Sequence, residues 1–369
     1  MSDSKLFTPI KLRGLELGNR IVVSPMCQFS AVDGNMNDWH VMHLGNLAVS
    51  GAGLIIVEAT GVELEGRITP GCTGLYSDDN EAAMKRVLDF CREHGNGGIG
   101  IQLAHAGRKA SSAIPWDRFG ALGQDDEDAY PTYAPSAVPY SDGWPTPAAL
   151  DKAGLERVRG AFVQAAERAD RMGFDLIEIH SAHGYLLHSF LSPISNQRDD
   201  EYGGSIENRM RFPLQVFDAI RAVWPENKPL GIRISATDWI EGGWDVAASV
   251  ALAKELKARG CDFIDVSSGG ISPAQSFSQD DLGPGYQSAF AAEVKRDSGM
   301  TTIAVGLITE PQQAEHIIRS GQADMIAMAR GLLYNPRWPW HAARELGAEP
   351  DYPKQYRRAH PSFGQKAAP

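Results

Sequence analysis

A chain of 369 residues, 43% apolar and 22% charged, has the composition of an ordinary globular protein with material for a large buried core, which excludes disorder as its default state. A formal charge of −11 leaves no excess of Lys and Arg to meet phosphates, so a nucleic-acid or anionic-membrane surface is not expected and small-molecule work is favoured. No stretch approaches the roughly 18 uninterrupted apolar residues of a membrane span. The opening MSDSKLFTPIKL has no run suited to a signal peptide, and Cys27, Cys72, Cys91 and Cys261 lack CxxC spacing, so free thiols and a cytoplasmic location are expected.

In chain order, LFTPIKLRGLELGNR predicts a small hairpin that plugs one end of the fold. Eight short apolar runs follow: IVVSPM from Ile21, LIIVEAT from Leu54, IGIQLAH from Ile99, LIEIHS from Leu176, LGIRIS from Leu230, FIDVSSG from Phe263, TTIAVG from Thr301 and MIAMAR from Met325. Between them lie helical patterns such as EAAMKRVLDFCREHG, DKAGLERVRGAFVQAAERADRMG, VAASVALAKELKARG and EPQQAEHIIRSG, several closing on Gly as helix ends do. GNGGIG, Gly95 to Gly100, fits the dinucleotide pattern letter by letter but leads into a strand instead of following one, and reads as a helix-terminating turn. From Ala106 to Leu150 the rhythm breaks into a long Pro-, Gly- and Asp-rich loop after the third strand, suited to a lid, a binding loop or a partner contact. Eight strand–helix repeats predict a single (β/α)8 barrel over residues 1–369; periodicity alone leaves a doubly wound sheet open.

Successive side chains of a barrel strand point alternately inward and to the helices. In LIEIHS this turns Glu178 and His180 inward, and in LGIRIS Arg233 and Ser235; Gln102 behaves the same way in IGIQLAH. Such residues inside a barrel require a polar ligand or a hydrogen-bonded network. His180 and His183, three apart at a strand end with Tyr185 following, can aim at one point. They could ligate a metal, donate hydrogen bonds to one carbonyl or phenolate oxygen, or be satisfied structural histidines. A second HxxH, His40 and His43, falls at a helix start and reads as structural. Gly306 leaves the backbone approachable, and the amides around Ala329, Arg330 and Gly331 can cradle a phosphate beside the Arg330 guanidinium.

Several long motifs, SPMCQFS at Ser24, VEATGV at Glu58, GRITPGC at Gly66, IQLAHAGRKAS at Ile101, IHSAHGYLLHSFLSPISNQRDDEYGGSIENRMRF at Ile179 and the final AVGLIT with MAR, give a chain that over nearly its whole length resembles the old yellow enzyme family, within it the thermophilic-like bacterial ene-reductases. The resemblance implies an FMN-binding barrel in which NADPH, preferred over NADH, reduces the flavin, and hydride then passes to the β-carbon of an α,β-unsaturated carbonyl compound. It places Ser24, Pro25, Met26 and Cys27 along the flavin, Ala59 and Gln102 against its ring, and Arg233 near N1 and the C2 oxygen. Gly306, Ala329 and Arg330 fall at its phosphate. His180 and His183 would hold the substrate carbonyl, Tyr185 would protonate the α-carbon, and Cys27 would tune the flavin. No partner for Arg233 is evident nearby in sequence.

Phe29 stands where many relatives carry Tyr, which removes a hydroxyl from the substrate pocket, and Trp116 is a candidate lid aromatic. PKQYRRAH resembles a segment that reaches a neighbouring subunit, so a homodimer or larger assembly is expected, with Arg358 as a substrate-contacting residue of the adjacent site. Two other readings are a metal-dependent barrel hydrolase or isomerase using His180 and His183, and a non-catalytic flavin-binding protein.

Overall fold

The computed structural model describes residues 3–123, 125–276 and 282–359. Strands β1 (Ile10–Leu12) and β2 (Leu15–Leu17) form an antiparallel hairpin. The barrel strands are β3 (Ile21–Val23), β4 (Leu54–Gly61) and β5 (Gly98–Ala104), then, past the two-residue strands β6 (Tyr133–Ala134) and β7 (Ala148–Ala149), β8 (Leu176–Ser181), β9 (Leu230–Ser235), β10 (Phe263–Ser267), β11 (Thr302–Val305) and β12 (Met325–Met328). All eight pair in parallel, and β12 closes on β3 through Ile326 opposite Ile21 and Met328 opposite Val23. Each of the eight apolar runs is therefore a barrel strand, and the closed barrel is the fold.

The helices form where caps and apolar stripes coincide. Helix α1 (Asp38–Ala48) starts at Asn37 in a capping box with His40, which is the structural role expected for that histidine. Ser77 caps α2 (Asp78–His94), which ends before Gly95 as GNGGIG predicts. Asp151 accepts from the Gly154 N–H at 2.7 Å to cap α3 (Lys152–Met172), and Gly173, at φ +91°, ends it. The stripe Leu155, Val158, Phe162, Ala165, Ala169 and Met172 recurs every three or four residues and is wholly buried. Helices α4 (Leu186–Leu191), α5 (Ile206–Val223), α6 (Val246–Ala258), α7 (Ser288–Ser298), α8 (Pro311–Arg319), α9 (Arg330–Tyr334) and α10 (Trp338–Glu345) complete the outer layer. Among the described residues no helix is long and apolar enough to cross a membrane.

Strand parity divides the core in two. Ile101, Leu103, Ile177, Ile179, Ile232, Ile234, Ile264 and Val266 face the helices in the larger cluster. Val22, Leu54, Ile56, Leu176, Phe263, Ile303, Val305, Met325 and Ala327 fill the barrel interior, and Leu12 and Leu17 of the hairpin join them. The hairpin is thus the apolar stopper expected of it, set below the polar residues that occupy the inward positions further along the same strands. The long loop is less irregular than its composition suggests. Tyr133 and Ala134 pair with Ala148 and Ala149, and the Arg198 guanidinium donates to the carbonyls of Pro135 (2.8 Å) and Leu150 (2.7 Å), which ties the later part of the loop to the segment between α4 and α5.

Truncating the stopper removes apolar contacts that the interior cannot refill. Leu17→Ala is expected to lower stability by about 2–5 kcal/mol, read as a fall in the urea midpoint at unchanged slope; an unaltered midpoint would show that the hairpin is not part of the core.

Candidate active site

Above the apolar layer the inward positions carry charge. Glu178 and Gln102 lie opposite one another on β8 and β5, and the Gln102 amide donates to Glu178 Oε1 at 2.7 Å. Arg233 and Asp265 lie opposite one another on β9 and β10, with Arg233 Nε 3.3 Å from Asp265 Oδ2. The partner not evident near Arg233 in sequence is therefore Asp265, one strand over. All four side chains are buried, yet Glu178 Oε2, Arg233 Nε and both Asp265 oxygens lack a hydrogen-bond partner of good geometry. A layer this buried and this incompletely satisfied calls for a further donor, from a proton on one carboxyl or from a polar ligand.

Ser24 leaves β3 with its N–H on the Met328 carbonyl at 3.0 Å and its buried hydroxyl without a hydrogen-bond partner. Pro25, Met26 and Cys27 continue half-buried across the mouth, and the Gln28 N–H closes on Glu58 Oε2 at 3.0 Å. Glu58 is turned outward, with His40 Nε2 3.5 Å from its other oxygen, because the β4–β5 register slips between Val57 and Thr60. The slip gives Ala59 the inward parity, which an unbroken alternation would have denied it. The Cys27 thiol is pushed well up by its hydrogen bond with Cys72 and by burial, so it is a protonated thiol at neutral pH.

Gly306, at φ +121°, ends β11 beside Ala329 at the end of β12. A Cβ on Gly306 would lie 2.8 Å from Gln287 Nε2 and 2.9 Å from the Tyr286 ring, so this cradle admits only glycine without rearrangement. The Arg330 side chain is exposed at the cradle's edge. A cation and an amide under one end, a free hydroxyl along the side and a glycine cradle with an Arg at the other end fit a ligand with a polar ring edge and a phosphate.

His180, His183 and Tyr185 converge at the opposite side of the mouth. His180 Nδ1 accepts from the Ala182 N–H at 3.2 Å, which leaves the ring proton on Nε2, 3.4 Å from His183 Nδ1. His183 Nε2 is 2.7 Å from Ser267 Oγ. When the Ser267 hydroxyl donates to His183, the His183 proton moves to Nδ1 and both imidazoles present N–H groups to the same notch; when it donates instead to Gln287 Oε1 at 3.3 Å, His183 accepts from His180. The two rings, set edge-on at 82° to one another, therefore aim their N–H groups jointly at a ligand in only one tautomer. Burial, then the Arg233 charge, holds both well below the usual imidazole value, so they are neutral. Tyr185 packs edge-on to His180 with ring centroids 4.8 Å apart, and burial raises its phenol well above the ordinary value.

Backbone strain in this turn is held by its neighbours. His183 (φ +59°) and Gly184 (φ +77°) are both left-handed. The His183 N–H donates to Ser235 Oγ at 2.9 Å, Lys109 Nζ donates to the His183 carbonyl at 2.8 Å, and the Gly184 N–H donates to His188 Nδ1 at 2.9 Å. His188 in turn meets Asp238 at 2.9 Å. Lys109, pushed down to about 7 by burial and by Arg108, also lies over the rings of Tyr140 and Tyr185.

A model of the NADH:flavin oxidoreductase / NADH oxidase family matches residues 5–349. The chain belongs to this family. It is 46% identical over 358 residues to the NADPH dehydrogenase of Geobacillus thermodenitrificans, covering 96% of this chain and 98% of the relative. To the NADPH dehydrogenase of Bacillus subtilis it is 42% identical over 356 residues, covering 96% and 98%. Among solved structures, morphinone reductase superposes with a TM-score of 0.78 at 30% identity, covering 96% of this chain and 92% of that one. This flavin oxidoreductase thus has a site whose residues suit FMN. Among its described residues no group of three or more His, Cys, Asp or Glu side chains could hold a metal ion, so the histidine pair has no third ligand.

Of the expected site residues, Phe29 (φ +48°) follows Cys27 and Gln28, and the Trp116 ring packs edge-on against it with centroids 6.0 Å apart. Arg358 is exposed in the 3-10 turn Lys354–Ala359, beside a segment that packs on Trp340 through Tyr356, and this chain does not bring it into its own site. Asp265 and Ser267 were missed, although the alternation that singles out Arg233 applies equally to FIDVSSG. Lys109 carries no signal of its own in sequence; it reaches the site through the 3-10 turn Gly107–Lys109, which no periodicity reveals.

Because both imidazoles are neutral, affinity for a neutral phenolic ligand should stay flat as pH falls through 6.5, and Ser267→Ala should weaken that affinity about 2- to 10-fold with FMN retained. Spectral titration checks both; a loss of affinity centred near 6.5 in the wild type would contradict the neutral pair.

Proposed function

We propose that this family member is an FMN-dependent ene-reductase that uses NADPH to reduce the carbon–carbon double bond of α,β-unsaturated carbonyl compounds or related activated alkenes. The observation that carries the reading is the pair of neutral imidazoles set beside a buried phenol, at the mouth over the Arg233 and Gln102 row. When bound, FMN supplies the two-electron chemistry, taking hydride from the nicotinamide and giving it to the substrate's β-carbon. Ser24, Pro25, Met26, Cys27, Ala59 and Gln102 would line its ring, Arg233 would face the N1 and C2-oxygen edge, and Gly306, Ala329 and Arg330 would take its phosphate. A cation at that edge favours negative charge on the ring.

The remaining work falls to the protein. His180 Nε2 and His183 Nδ1 donate to the substrate carbonyl oxygen, where negative charge gathers as the β-carbon is attacked; neutral donors already in place need little reorganisation. Tyr185 holds its proton at neutral pH and releases it to the α-carbon only when a base as strong as an enolate forms. Lys109, 5.2 Å from the Tyr185 ring, steadies the phenolate left behind. Phe29 and Trp116 offer an apolar wall where a hydroxyl would otherwise stand. Names of several relatives, NADPH dehydrogenase among them, support the choice of reductant. The exposed Arg358 suits a homodimer or larger assembly in which it reaches the neighbouring site, and a cytoplasmic location fits the free thiols.

Tyr185→Phe should leave flavin reduction by NADPH near wild type and slow enone-driven reoxidation by about 10²- to 10⁴-fold in stopped flow. His180→Ala with His183→Ala should keep FMN but lose phenol binding and most turnover. Undiminished reoxidation in both variants would overturn the assignment.

A further inference from the structure

Within the inward row lies a group that the mechanism does not use. Glu178 is fully buried on β8, one oxygen held by Gln102 of β5 and the other without a partner. Asp265 of β10 is equally buried, and neither of its oxygens has a hydrogen bond of good geometry, although Arg233 of β9 stands beside it at 3.3 Å. Two carboxylates thus share one guanidinium and one amide in a buried layer. His180, further along β8 and neutral, adds no positive charge, and Glu58 of β4 is turned away to His40. The lower interior offers nothing else, since its residues from β3, β11 and β12 are apolar.

With both carboxyls ionised the row would hold two negative charges against one positive and three acceptor oxygens without donors. Adding a single proton turns the unpartnered Glu178 oxygen into a donor, leaves Asp265 as the counter-charge of Arg233 and brings the row to neutrality. We propose that Glu178 and Asp265 form a one-proton reservoir beneath the flavin, with the proton resident on Glu178, released to solvent as pH rises and recaptured when the flavin gains negative charge.

Burial, and next the Asp265 charge, pushes Glu178 up to about 8, so the reservoir is loaded at neutral pH. The balance is simple. Above that range hydride leaves NADPH as NADP⁺ forms, negative charge arrives over the row, and one proton moves from water to the Glu178 carboxylate; hydride transfer to the alkene returns it. Arg233 therefore serves the flavin without an excess of carboxylate charge beneath it, and Glu178 acts as a positioning and tuning group, not a catalytic residue. The coupling to flavin rests on the function proposed above, whereas the shared proton does not.

Two measurements separate these parts. In apoprotein at neutral pH, infrared spectroscopy should show the carbonyl stretch of a protonated carboxylic acid, shifted in D2O, fading as pH passes about 8 and missing in Glu178→Gln. In the FMN-loaded enzyme the two-electron midpoint potential should fall more steeply above that pH than below it, by an added tenfold per pH unit, about 30 mV. Glu178→Gln should lose this inflection while keeping FMN, and Asp265→Asn should move it to lower pH by removing the like charge. Absence of the infrared band would overturn the reservoir whatever the flavin does. A band with parallel potential profiles in wild type and Glu178→Gln would overturn the coupling. Failure to bind FMN would overturn the functional reading and the coupling with it, leaving the band to stand on its own.

Discussion

Alternation of side chains along eight parallel strands forces every inward residue into a closed space, and this molecule uses that space in two layers. The lower layer is apolar and stoppered by Leu12 and Leu17; the upper one holds Gln102, Glu178, Arg233 and Asp265. Charge in such a place is costly unless each group finds a partner, and the partners are supplied across neighbouring strands, Gln102 to Glu178 and Arg233 to Asp265. Glu178 Oε2 and both Asp265 oxygens are left without a hydrogen bond of good geometry. A proton on Glu178 and a ligand with donors and acceptors along one edge would complete the layer, which would make the fold's main electrostatic cost and its binding site the same feature.

Chemistry at the mouth depends on a strained turn. His183 and Gly184 occupy left-handed conformations in direct contact with the loop after β10, where a Cβ on Gly184 would sit 2.2 Å from the Gly270 carbonyl oxygen. That close approach is what brings His183 to Ser267 and sets Tyr185 as the residue before α4. Ser235, Lys109 and the His188–Asp238 pair hold the turn from three sides, so stability invested in the surroundings fixes two imidazoles and a phenol to a narrow range of positions.

Much of this was legible in the order of residues. The eight apolar runs, the caps and glycine stops of the helices and the hairpin follow from local periodicity, and inward parity singles out Gln102, Glu178, His180 and Arg233. The long motifs around Ser24, Ile101 and Ile179 gave the family. What stayed hidden depends on pairing between strands or loops distant in sequence. The register slip that turns Glu58 outward and Ala59 inward arises from how β4 meets β5; Asp265 becomes the partner of Arg233 only once β9 and β10 are in register. The joint aim of the two histidine N–H groups depends on the Ser267 hydroxyl, and the edge-on placement of Trp116 against Phe29 on the path of a loop whose composition carries no period.

The central claim is that the charged upper layer of the barrel holds a flavin that shuttles hydride from NADPH to an activated alkene. Its most direct test is the visible spectrum of the purified protein under anaerobic conditions, recorded alone, after NADPH and then after 2-cyclohexen-1-one. Flavin absorbance should bleach with NADPH and return with the enone. A colourless protein that cannot be reconstituted with FMN, or a flavin that NADPH bleaches but no enone restores, would contradict it.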